Sequence, residues 1–159
     1  MEICWKDDFF RIRLHWSLPR LFGEYKEEQL KVDDAFIYSI SCQWSEADDR
    51  LLYLGMTYKQ DVWSRMNQHG LKKCREQYPR KSKKLIVSVA TLEETDGNIT
   101  ENLVKDVEAL LIYSAWNSSM VNTRSINGYT GRSKRQILVE NYGYTLLPKK
   151  VFWGVSSSK

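Results

Sequence analysis

Two side chains in "YLGMTYKQDVWSRMNQHG" (residues 53 to 70) stand one helical turn apart: Arg65 and His69. Arginine is a permanently charged planar donor that fits a phosphate in two-pronged fashion, and histidine trades a proton near neutrality. A third group, Glu108, falls on a helical pattern with Val104, Leu111 and Ile112 at i−4, i+3 and i+4, so its carboxylate projects from an apolar face. Such a carboxylate needs a partner, either a nearby cation such as Lys105 or a hard divalent ion that keeps several waters. Tyr38 and Tyr53 lie on strand-like segments, and Gly55 and Thr57 follow the second tyrosine where a backbone or ligand could come close. Arginine, carboxylate, histidine and tyrosine together are the groups that in-line attack on a phosphodiester calls for.

Several elements must position these groups. "AFIYSISC" (35 to 42) alternates as a strand does, and after a polar, longish loop "LLYLG" (51 to 55) reads as its hairpin partner. Asp61 is placed to cap a helix running through "DVWSRMNQHGLKKCREQY", which ends before Pro79. "KKLIVSVATL" (83 to 92) is a β-branched strand, and Asn98 or Thr100 starts a helix reaching about residue 116. "FFRIRLHWSLP" alternates like a strand, residues 19 to 34 are a short helix or an irregular lead-in, and "RQILVENYGYTLLPKKVFWGV" holds two further strand runs. The order predicts an α+β domain: a small antiparallel or mixed sheet flanked by helices.

Composition narrows the classes. The 159 residues suit one domain, and 42% hydrophobic content with 13% aromatics argues against disorder. The acidic start "MEICWKDDFF" is unlike a secretion signal and no run is long enough to span a bilayer, so a soluble, cytoplasmic protein is expected. Cys4, Cys42 and Cys74 are odd in number and far apart, which predicts buried or half-buried thiols and neither a disulfide framework nor a zinc site. Charge is segregated. Residues 65 to 84 carry +7 and residues 124 to 150 carry +5, leaving −8 for the remainder of a chain whose net charge is +4. Lys72, Lys73, Arg75, Arg80, Lys81, Lys83 and Lys84 in the first stretch, and Arg124, Arg132, Lys134 and Arg135 in the second, are therefore candidate contacts to a polyanion backbone.

"FIY" (36 to 38), "YLG" (53 to 55), Thr57, Arg65, His69, Glu108 and Asn122 occur in an order and at spacings that resemble the GIY-YIG nuclease superfamily, over residues 33 to 124. The resemblance implies a nuclease core at 33 to 124, a lead-in at 1 to 32 and a C-terminal β extension at 125 to 159. It also implies DNA hydrolysis with one Mg²⁺ or Mn²⁺. Carried over, Tyr38 is a base or water-orienting group, Tyr53 positions water or phosphate, and Arg65 holds the scissile phosphate. His69 matches a branch in which such a histidine assists proton transfer, Glu108 becomes the metal ligand, and Asn122 orders the site. Phe36 stands where the family name has glycine, and the acidic stretch between the tyrosine strands is longer than is typical. RNA as substrate and a dimeric state stay open, and a nucleic-acid-binding module without turnover is the alternative reading.

Overall fold

The computed structural model describes residues 9–22, 34–94, 99–122 and 136–153. Seven strands form one mixed sheet: β1 (Phe9–Trp16), β2 (Arg20–Leu21), β3 (Ala35–Ser45), β4 (Asp48–Tyr58), β5 (Leu85–Glu94), β6 (Gln136–Tyr142) and β7 (Lys150–Trp153). Their spatial order is β4-β3-β5-β1-β6-β7, with β2 paired to β5. The fold class is thus the mixed α+β arrangement that the element order implies. All pairings are antiparallel except that of β1 with β6. The N-terminal lead-in therefore supplies an interior strand, with β1 seated between the core strand β5 and the C-terminal strand β6.

One sequence expectation is corrected here. β3 and β4 run on to a tight turn at Glu46 and Ala47, with Ser45 opposite Asp48, so no long loop separates the tyrosine strands. The polar residues are absorbed as strand because the hairpin bulges between Ile40 and Ser41 and again between Gln43 and Ser45. Cross-strand contacts hold the tip: the Arg50 guanidinium lies 4.4 Å from the centre of the Trp44 ring and pairs with Asp48 at 2.9 Å.

Asp61 caps the helical stretch as expected, accepting from the backbone N–H groups of Trp63 and Ser64 at 3.3 Å each. The stretch is not uniform. A first turn, α1 (Val62–Arg65), passes into a π-helical turn over Met66–Gly70 and then into α2 (Leu71–Gln77). A 3₁₀ segment, Pro79–Lys84, leads into β5, so Lys83 and Lys84 precede the strand that the sequence placed from residue 83. The other long helix, α3 (Glu101–Ala115), starts at Thr100, whose hydroxyl accepts from Leu103 N–H at 3.2 Å.

Alternation along β3 and β4 divides the core in two. Phe36, Tyr38, Ile40 and Tyr53 face Val62, Trp63, Met66 and Leu71, while Ile37 and Leu54 face Leu103, Val104, Val107 and Leu111 of α3. Cys42 and Cys74 are buried free thiols on the first of these sides, and burial pushes Cys74 up to about 12.

Candidate active site

β4 is an edge strand, and the site forms along it. Tyr38, from the neighbouring β3, is opposite Gly55. Its ring crosses that glycine so closely that the ring carbon bearing the oxygen, and the hydroxyl itself, fill the place where a side chain at residue 55 would stand. Only glycine permits this approach, and the Tyr38 hydroxyl thereby reaches the sheet margin. Tyr53 stacks alongside with ring centroids 5.9 Å apart and planes inclined by 23°. The two phenols are close enough for each to influence the other's ionisation.

Arg65 and His69 reach the same place from the helical side. Arg65 Nη1 donates to His69 Nε2 at 2.7 Å, because a guanidinium has only donors. The π-helical turn between them widens the spacing, a local distortion often found where side chains must be aimed. Lys73 joins them with its ammonium 5.8 Å from the Tyr53 ring centre. Glu108 belongs to α3, on the opposite layer, and is half-buried. Its charge nevertheless acts on both tyrosine hydroxyls, as does that of Arg65. Charges from both layers therefore act on the two tyrosines.

The two phenols and the imidazole of this cluster are pushed toward their neutral forms. Burial raises Tyr38 far above its ordinary value, with Tyr53 adding to it. Burial, followed by the field of Glu108, also raises Tyr53. His69 is lowered by desolvation first and then by Arg65, Lys73 and Lys72. At neutral pH the site thus presents two protonated phenols and a neutral imidazole beside fixed positive charge.

The structure brings together Tyr38, Tyr53, Arg65 and His69, and places Glu108 on α3 where its field reaches both tyrosines. Asn122 sits differently. Its carboxamide accepts from Leu54 N–H at 3.0 Å and donates to Leu54 C=O at 2.8 Å, occupying the exposed hydrogen-bonding side of β4 between Tyr53 and Gly55. Val121 N–H donates to Leu52 C=O and Asn117 Nδ2 to Leu51 C=O, so this segment seals the strand edge. Asn122 orders the strand that carries the site, while its amide is spent on backbone. Thr57 is fully buried two residues beyond Gly55, and its hydroxyl lacks a hydrogen-bond partner among the described residues.

Of the basic candidates, Lys72 and Lys73 lie beside His69. Arg75 covers the Phe22 ring at 5.1 Å, and Lys81 lies 4.8 Å from the Trp44 ring centre. Arg80, Lys83 and Lys84 are exposed on or beside the 3₁₀ segment. Arg124, Arg132, Lys134 and Arg135 lie outside the described residues. A cleft of about 330 Å³ lined in part by Pro19, Leu21 and Tyr144 contains none of the candidate catalytic groups. Gly70 is the contributor that sequence reasoning passed over; a glycine inside a helical stretch was the available signal, since it costs helix stability relative to alanine.

Comparison of the chain with protein-family models, with curated proteins and with solved structures found no match.

Proposed function

We propose that this protein is a divalent-metal-dependent endonuclease of the GIY-YIG type that hydrolyses phosphodiester bonds in DNA. The observation that supports the reading is the cluster of Tyr38, Tyr53, Arg65 and His69 beside β4, with Glu108 near enough for its charge to act on both tyrosines.

A magnesium or manganese ion fits this donor set. An ion of this kind is commonly held by one or two carboxylates, waters and substrate oxygens. Glu108 would be its protein ligand. When bound, such an ion supplies Lewis-acid stabilisation of charge on the phosphoryl oxygens.

The remaining roles belong to the chain's own side chains. Arg65 grips the scissile phosphate, and in turning its donors to the phosphate it releases His69 Nε2. His69, held neutral by burial and the surrounding cations, then accepts the proton of the attacking water. Tyr53 orients that water or a phosphate oxygen by donation, and Tyr38 holds Tyr53 in place from beneath. The raised phenols are donors in this scheme, which assigns the general base to the histidine. Lys72 and Lys73 extend the positive surface along the backbone of the substrate.

Incubating supercoiled and linear DNA with Mg²⁺ or Mn²⁺ tests the reading. Wild type is expected to nick or linearise the DNA, and Glu108→Ala to lose about 100-fold or more of that rate while still binding in a salt-dependent way. Equal trace activity of both proteins on every DNA and RNA tried would overturn it. Binding without cleavage by wild type would favour a recognition module.

A further inference from the structure

Gly70 closes the π-helical turn and is buried against β3 and β4. A Cβ built there would lie 2.8 Å from Ile40 Cδ1, 2.9 Å from Tyr53 Cδ1 and 3.0 Å from Tyr38 Cε2, whereas ordinary contacts begin at 3.4 Å. The three neighbours differ in how they can respond. Ile40 Cδ1 is the free end of a flexible chain. The tyrosine atoms belong to rigid rings that stack on each other, and the Tyr38 ring is already pressed across Gly55 on its other side. A methyl group at residue 70 would therefore meet a ring pair without room to retreat, and relief would come from lifting the helical turn. That turn begins directly after Arg65 and contains His69, whose mutual hydrogen bond depends on its shape.

We infer that Gly70 is a positioning residue of the active site: its bare α-carbon lets the π-helical turn dock on the two stacked tyrosines, and this docking sets Arg65 and His69 relative to them. Gly55 and Gly70 together then form a slot for Tyr38, one beneath its hydroxyl end and one at its ring edge. The role deepens the nuclease reading and rests on it for catalysis, but the geometry itself is measurable without any substrate.

The test compares wild type, Gly70→Ala, Ile40→Val, the double variant Ile40→Val/Gly70→Ala, and the exposed control Gln68→Ala from the same turn. Removing Cδ1 of residue 40 relieves one of the three contacts and leaves both ring contacts, so the double variant separates loss of folding from loss of alignment. Expected for Gly70→Ala and for the folded double variant is a fall in kcat of about 10- to 100-fold with KM nearly constant, and wild-type kinetics for Ile40→Val and Gln68→Ala. Independently of activity, NMR titration should show His69 moving up toward 6.5 in the Gly70→Ala variants. If Gly70→Ala fails to fold, the double variant supplies both readouts. Wild-type kcat together with an unshifted His69 in a folded Gly70→Ala protein overturns the inference. Should wild type cleave no nucleic acid, the nuclease reading falls, and the His69 titration alone decides whether Gly70 sets the pair.

Discussion

Two polar clusters occupy one sheet and are built on opposite electrostatic plans. Across β1, β5 and β6, cations meet carboxylates. Arg11 Nε donates to Glu140, the Tyr142 hydroxyl donates to the same carboxylate at 3.2 Å, and His15 Nε2 lies 2.8 Å from Glu93. The Arg11 hydrogen bond holds Glu140 below the usual carboxylate range and Glu140 in turn raises Arg11, so within this pair each charge is favoured by the other. Along β4 and the helical turn the logic reverses. Arg65 donates to His69, Lys72 and Lys73 add like charge, and the phenols are held neutral by burial. The first cluster fastens strands together; in the second, burial and like charge take the place of that pairing.

The sharpest way to break this contrast is to remove one arginine from each cluster. Arg65→Ala is expected to lower DNA cleavage by about 100- to 1,000-fold, the range for losing a donor to transition-state charge, with the thermal midpoint little changed. Arg11→Met should do the opposite, leaving kcat/KM within twofold and lowering the midpoint, as parallel cleavage assays and thermal melts would reveal.

Asn122 tests where the boundary between the clusters' roles falls. Asn122→Ala leaves two buried backbone groups of Leu54 without partners, a destabilisation of about 2 kcal/mol by urea denaturation. Activity normalised to folded protein should fall much less than for Arg65→Ala; an equal fall would mean that the amide works directly on substrate.

Dependence on pH separates the clusters more finely. Both His69 and Glu140 have folded-state pKa values below their ordinary ones, so each contributes stability that is present above the ordinary value and lost as pH falls through the lowered one. The windows differ: His69 acts from 6.5 downward and Glu140 from 4.5 downward. His69→Gln should abolish an acid limb of kcat/KM lying below pH 6.5, and Arg11→Met should flatten the stability loss below pH 4.5, with neither exchange affecting the other's window.

The smallest effect is expected from the flanking cations. Lys72→Ala or Lys73→Ala should reduce the slope of log binding constant against log salt by about one and leave kcat near wild type. A loss as large as that of Arg65→Ala would move the lysine into the catalytic group.

Much of this arrangement was legible in the chain. Period-two alternation marked β3, the run ending in Gly55 marked its hairpin partner β4, β-branched apolar residues marked β5, Asp61 and either Asn98 or Thr100 marked helix starts, and the apolar neighbours of Glu108 marked a carboxylate on an apolar face. What escaped was either non-local or too short to have a period. The insertion of β1 between β5 and β6 depends on contacts over more than a hundred residues. Five residues of π-helix cannot be told from α by hydrophobic spacing, so nothing in the local hydrophobic pattern singles out Gly70. The bulges that turn a polar loop into strand likewise depend on cross-strand partners.

The seal on β4 has a consequence for how copies of this chain meet. A free strand edge is a template on which another chain can grow a sheet, and Leu54 denies that template because both its backbone groups are taken by one carboxamide. Aggregation by strand addition is thereby blocked beside the tyrosines. In the described sheet the other margin is β7, with the full breadth of β3, β5, β1 and β6 between it and β4. Cross-chain β-pairing there would leave the approach to Tyr53 open.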